Sequence, residues 1–124
     1  MFWQLIAHMI GDYVVQNHWM AVAKTQRWFP AILHAAFYTA VFLAFFGLSY
    51  ALIIIGVTHL FIDRYRLASL WTRFWGVGCT GWLPGKLGVS KADDAPPFLG
   101  VWLMIIVDNI SHVVINALSL QHLG

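Results

Sequence analysis

Apolar residues run together in four stretches of this chain: Phe2 to about Gln16, Pro30 to about Gly47, Tyr50 to about Ile62, and Pro97 to about Leu120. Tyr65 and Leu67 extend the third to about residue 68. A hydrocarbon core about 30 Å thick takes about 20 apolar residues as helix, fewer in a compact protein. The pattern therefore predicts an all-α, polytopic membrane protein, a single domain built as a four-transmembrane-helix bundle. Pro30 suits the first turn of a helix, where its missing N–H costs nothing. Gly47-Leu48-Ser49 reads as a tight turn that makes the second and third segments a hairpin. The first segment is short; it either tilts or bends near Asn17 and continues along the interface through Trp19 to Trp28. A loop from about Leu70 to Pro97 holds five of the ten glycines and three of the four prolines. Its Trp71, Trp75 and Trp82 suit a headgroup layer.

Composition narrows the class. Of 124 residues, 60% are hydrophobic and 10% charged, with a mean hydropathy of +0.73. A soluble domain carries about a quarter charged residues, and a disordered one lacks this apolar content. The net charge of +2 is too small for a nucleic-acid partner, which leaves the lipid bilayer as the expected surroundings. Cys79 is the single cysteine, so an internal disulfide and a cysteine metal cluster are excluded. No removable leader is expected, since Asp12 interrupts the first apolar run and no basic region precedes it. The seven bases are Lys24, Arg27, Arg64, Arg66, Arg73, Lys86 and Lys91. Four crossings put all of them on one side, which the positive-inside rule makes cytoplasmic, with both termini outside. That is the topology of a multi-pass inner-membrane protein.

The candidate chemistry lies in the polar residues of the apolar stretches. Asp93 and Asp94 fall in the long loop, whereas Asp12, Asp63 and Asp108 lie in or beside apolar segments, each with a histidine four residues away. The pairs are His8 with Asp12, His59 with Asp63, and Asp108 with His112; that spacing stacks both side chains on one helix face. Three such pairings would arise by chance about once in a hundred tries. His34 adds an imidazole on the second segment. An ionised aspartate at a helix centre costs about 2.5–3.5 kcal/mol, so these carboxylates must be protonated, paired with His⁺ or bound to cations. Imidazole and carboxylate suit a divalent metal, zinc above all, as one ion or two. Gln16 extends the stripe from Asp12, either to orient a ligand or as an interfacial residue, and Asn109 stands beside Asp108, either to orient a ligand or to bond between helices. Counted from the cytoplasmic ends, His34, Asp12 and His59 lie within about 10 Å of that boundary. The plain alternative is that each pair is an intrahelical hydrogen bond. His18 and His122 read as packing or interfacial residues, Asn116 as a bond between helices, and Cys79 as incidental. No phosphate loop, serine nucleophile motif or HExxH is present.

The residues His8-Met-Ile-Gly-Asp12-Tyr13-Val-Val-Gln16, then His34, Thr58-His59-Leu-Phe-Ile-Asp63 and Asp108-Asn109-Ile-Ser-His112 resemble a known pattern. It is that of the domain-of-unknown-function family 3307, small bacterial and phage membrane proteins: HxxxD[FY]xxQ, a second-helix His, HxxxD and a final D-Q-x-x-H. The resemblance covers the chain except for about Thr72 to Ala95. Asn109 departs from the usual glutamine. The resemblance implies the fold and the ligand set, but no reaction. A more distant similarity is to membrane-bound metal-dependent hydrolases, and zinc phospholipases C also hold metals with HxxxD pairs; both are analogies of site rather than of fold.

The leading expectation is a metal-dependent hydrolase acting on a lipid-linked or phosphoester substrate, its metal bound by His8, Asp12, His34, His59, Asp63, Asp108 and His112. An aspartate left off the metal would serve as general base, and Arg64 and Arg66 would hold a phosphate headgroup or simply anchor the boundary. The alternatives are a proton or metal-ion transporter, a haem protein, and a small non-catalytic phage or bacterial membrane protein. Haem is disfavoured by the paired aspartates. Four short helices leave little room for a substrate pocket, which suits a homo-oligomer.

Overall fold

The computed structural model describes residues 1–75 and 97–124, with side chains for 1–72 and 102–124. Its described residues are helical, with no strand among them. In chain order they form α1 (Phe2–Met9), a π-helical turn (Ile10–Val14), α2 (His18–Ala23), α3 (Trp28–Phe46), α4 (Tyr50–Tyr65), α5 (Leu67–Trp75) and α6 (Pro97–Leu123). The chain divides into two compact units, one of residues Met1–Tyr65 with His112–Gly124 and one of Arg66–Ser111.

Within the first unit, the α3–α4 hairpin is the frame. Gly47 ends α3 at φ 73°, its N–H donating to the Leu43 carbonyl at 2.9 Å. That conformation favours glycine because a Cβ would crowd the backbone. Along the hairpin, Gly56 lets α4 come close to α3: a Cβ there would lie 2.5 Å from Thr39 Oγ1. Ala7, Tyr38, Phe42, Ala51, Leu52 and Ile55 form the apolar core, with Val41 and Leu120 packed against it. Asn17 starts α2 by accepting the Met20 N–H on its side chain at 2.9 Å, a cap worth about 1 kcal/mol.

Two helices are long and apolar enough to cross a membrane, Trp28–Phe46 and the Trp102–Leu123 part of α6. The predicted first segment, 2–16, is shorter as built. Its helical run ends at Val14 and rises about 20 Å, and α4 rises about 24 Å, both less than a typical hydrocarbon core. The apolar stretches therefore correspond to helices, but four full crossings do not follow from helix length.

Residues 70–75, expected as the start of the long loop, are helical and belong to α5, and the rest of that expected loop up to residue 96 lies outside the described residues. Cys79, Trp82, Lys86, Lys91, Asp93 and Asp94 lie outside the described residues. Arg66 separates α4 from α5 with φ 53°, a left-handed conformation that costs a non-glycine residue about 1–2 kcal/mol.

Polarity runs from inside outward in an unusual order. His8, Asp12, His34, His59, Asp63, His112 and Asn116 are buried, while Ile32, Ile53, Val57 and Phe61 are exposed.

The Gly56–Thr39 approach can be tested by a double-mutant cycle in thermal or denaturant unfolding. Gly56→Ala is expected to destabilise by about 1–3 kcal/mol, the range for overpacking. Thr39→Ala in the same chain should recover most of that loss, because it removes the hydroxyl that the new Cβ would meet.

Candidate metal centre

The local structure of α1 explains how its polar face reaches the centre. After Met9 the helix widens into the π turn, and the Val15 N–H donates to the Ile10 carbonyl five residues back at 3.0 Å. Such π insertions occur mostly at functional sites, since they turn the following side chains without breaking the helix. Gly11 lies in this turn against Tyr38; a Cβ there would sit 2.5 Å from Tyr38 Cδ2. The small residue thus lets Asp12 approach α3 and α4.

Four ligand atoms converge: Asp12 Oδ1, His34 Nε2, His59 Nε2 and Asp63 Oδ2, from four buried residues. His34 Nε2 and His59 Nε2 are 2.9 Å apart. Each of these nitrogens lies 3.3 Å from Asp12 Oδ1 and 3.3 Å from Asp63 Oδ2. A tetrahedral ion with bonds of about 2.0–2.1 Å sets its ligand atoms about 3.3–3.4 Å apart. Four of these five separations match that edge length, and the fifth is shorter by a few tenths of an ångström. The group could hold a divalent metal, whose two positive charges would balance the two carboxylates.

The hydrogen bonds around this group define which nitrogens carry lone pairs when the histidines are neutral. Asp63 Oδ1 can only accept as a carboxylate, so His112 Nε2–H donates to it at 3.1 Å. His112 Nδ1 then accepts from His59 Nδ1–H at 3.2 Å. His59 Nε2 is left with its lone pair directed into the convergent group, as metal coordination requires. Asp12 Oδ1 and His34 Nδ1 are buried and form no hydrogen bond among the described residues. An orphaned carboxylate oxygen facing two imidazole nitrogens fits a cation site better than a finished hydrogen-bond network.

Two groups that sequence reading did not single out complete the surroundings. Tyr38 stacks on His59 with centroids 3.7 Å apart and planes at 13°. Asn116 Nδ2 donates to its hydroxyl at 2.7 Å, and the hydroxyl is hydrogen-bonded to His8 Nδ1 at 2.7 Å. His8 Nε2 lies 3.7 Å from Asp12 Oδ2. Lys24 Nζ donates to Asp63 Oδ2 at 2.6 Å. Tyr38 stands one turn after His34, a spacing that could have drawn attention to it. Lys24 carried no such signal, because its partner is 39 residues distant.

The remaining expected site residues sit differently. His8 and His112 adjoin the four-atom group through Tyr38, His59 and Asp63 rather than belonging to it. Asp108 is half-buried, belongs to the second unit, and precedes His112 by one turn of α6. Gln16 Nε2 donates to the Asp12 backbone carbonyl at 3.2 Å, and Asn109 Nδ2 to the Ile105 carbonyl at 2.9 Å; neither bond reaches a carboxylate. Arg64 donates to the Thr25 and Gln26 carbonyls at 2.8 and 3.2 Å. Its guanidinium lies 5.0 Å from the Trp28 ring centre, so it ties the α2–α3 connection to the end of α4. Arg66 is exposed.

The fold and site define a helical protein with a buried aspartate–histidine group that could hold a divalent metal. Residues 1–83 match the family described as protein of unknown function (DUF3307), and the chain belongs to that family. No curated protein and no solved structure matches it.

The histidine relay predicts a graded response to mutation, readable with Co(II) as a spectroscopic probe. His112→Ala should weaken Co(II) binding about 10- to 100-fold, the usual effect of removing a group that orients a ligand. His59→Ala should abolish the tetrahedral d–d absorption altogether. Equal affinities in the wild type and His112→Ala would show that the relay does not prepare His59.

Proposed function

We propose that the protein is a multi-pass inner-membrane protein that binds one zinc ion through His34, His59 and Asp63, with Asp12 facing the ion. Its activity, in this reading, is hydrolysis of a lipid-linked or other phosphoester substrate. The observation that carries the proposal is the convergence of four buried ligand atoms from Asp12, His34, His59 and Asp63. Buried ionisable groups beneath an apolar exterior support the membrane reading, since lipid reverses the usual placement of polar residues. The seven bases support the orientation with the Lys24 end in the cytoplasm.

Two imidazoles and one carboxylate are a familiar catalytic zinc set, leaving a fourth position for water. A zinc ion held there supplies Lewis acidity and lowers the pKa of water toward neutrality. The two aspartates are not equivalent. Asp63 is fixed through both oxygens, by Lys24 and His112, which suits a permanent ligand. Asp12 Oδ1 accepts no hydrogen bond among the described residues, which suits a general base able to take a proton from water. Lys24, partly exposed beside Asp63, is placed to attract an anionic substrate to the cytoplasmic end.

A second reading, proton passage, draws on the Asn116–Tyr38–His8 chain that leads from the bundle interior toward Asp12. Proteoliposome flux separates it from hydrolysis, because a hydrolase does not dissipate a proton gradient.

Elemental analysis after gentle detergent extraction should find about one zinc per chain; less than about 0.2 would contradict the proposal. Asp12→Asn should retain most of that zinc while lowering kcat for bis(p-nitrophenyl) phosphate about 10²- to 10⁴-fold, the contribution of a general base. His34→Ala should lose metal and activity together. Zinc-loaded wild type with no phosphoesterase activity would remove the hydrolytic part and leave the metal site.

A further inference from the structure

A second cavity lies within the first unit, away from the metal centre. Its volume is about 400 Å³, and Gln4, Phe46, Ser49, Leu120 and Gln121 are among its lining residues. Ser49 immediately precedes α4, and Asp63 follows it by 14 residues, a rise of about 21 Å. The cavity therefore stands at the end of the hairpin opposite Lys24 and Asp63.

Two of its residues have unmet hydrogen-bonding capacity. Gln4 is 2% exposed, and among the described residues neither its amide oxygen nor its amide nitrogen has a partner; Ser49 Oγ is likewise buried and unpartnered among them. A buried carboxamide needs both a donor and an acceptor beside it, and water is both. The space is ample for a cluster of waters, each occupying about 30 Å³ in the liquid.

The position of Gln4 gives the cavity a destination. His8 follows one turn along the same buried face of α1, a rise of about 6 Å. On α6, Asn116 and His112 are buried polar residues that follow in the same direction, and the His8 and His112 rings are 5.6 Å apart. By contrast, Phe42, Leu52 and Ile55 make the α3–α4 side apolar at this level.

We propose that this cavity is a water inlet to the metal centre, opening at the end of the bundle opposite Lys24 and running along α1 and α6. Hydrolysis consumes water at a centre whose other side receives an anionic substrate, and a separate inlet lets both arrive without sharing one opening. The inlet rests on the metal-centre reading for its destination only.

The test is thiol accessibility in sealed vesicles of a Cys79→Ser background carrying one new cysteine. The probe is the membrane-impermeant cation methanethiosulfonate ethyltrimethylammonium, which reacts with the thiolate and so requires water at the sulfur. Gln4→Cys and Ser49→Cys sample the cavity; Leu5→Cys, next to Gln4 but on the outer surface, and Lys24→Cys are references. Both cavity cysteines should react at least about tenfold faster than Leu5→Cys, from the vesicle face opposite the one that labels Lys24→Cys. Reaction no faster than Leu5→Cys at both positions, or labelling from the Lys24 face, would overturn the inlet. Labelling needs no bound metal, so a dry cavity and a protein without zinc are separate failures. The two cavity variants perturb different elements, so misfolding of one leaves the other as the test.

Discussion

Two aspartates buried within reach of the same two imidazoles are the constraint on which this structure turns. Carboxylates taken out of water lose several kcal/mol of hydration each unless charge and hydrogen bonds replace it. Here the replacement comes from every part of the first unit. Lys24 reaches Asp63 from α2's end, His112 reaches it from α6, and His34 and His59 face both acids from the hairpin. Removing any one contributor leaves the others with excess negative charge in a medium that screens poorly. A dication among the four convergent atoms would add to that compensation from within.

The less conspicuous features of the fold serve that arrangement. The π turn and Gly11 bring Asp12 against α3, and Gly56 allows α4 to close on Thr39. Tyr38 sits between these contacts: its ring supports His59 and its hydroxyl holds His8. A side chain with both an aromatic face and a hydroxyl can order two imidazoles at once, which phenylalanine could do for one only. The centre is thus a rigid cluster with its orienting contacts built on helices rather than loops, the condition under which ligand geometry is best preserved.

Much of this was legible in the sequence, for a local reason. The i,i+4 spacing of His8–Asp12 and His59–Asp63 depends only on helix geometry, so reading helices also placed both pairs on buried faces. His34 was legible as a polar residue in an apolar run. What escaped was nonlocal or subtle: Lys24 meets Asp63 across 39 residues, and a π turn has no sequence signature that a 3.6-residue period reveals. Residues 70–75 were read as the start of a loop, but Trp71 and Trp75 belong to α5, which shows no break in its apolar and polar pattern that a loop would need. Of the seven residues read as ligands, Asp12, His34, His59 and Asp63 bring one ligand atom each to the same place. Sequence spacing reports which residues share a face, but not which atoms of that face meet.

X-ray absorption at the zinc edge on protein purified without added metal tests the central claim most directly. The account predicts one tetrahedral shell of nitrogen and oxygen at about 2.0–2.1 Å, with the outer-shell scattering of two imidazole rings. An absent zinc edge would contradict it, as would a shell with sulfur or one without imidazole scattering.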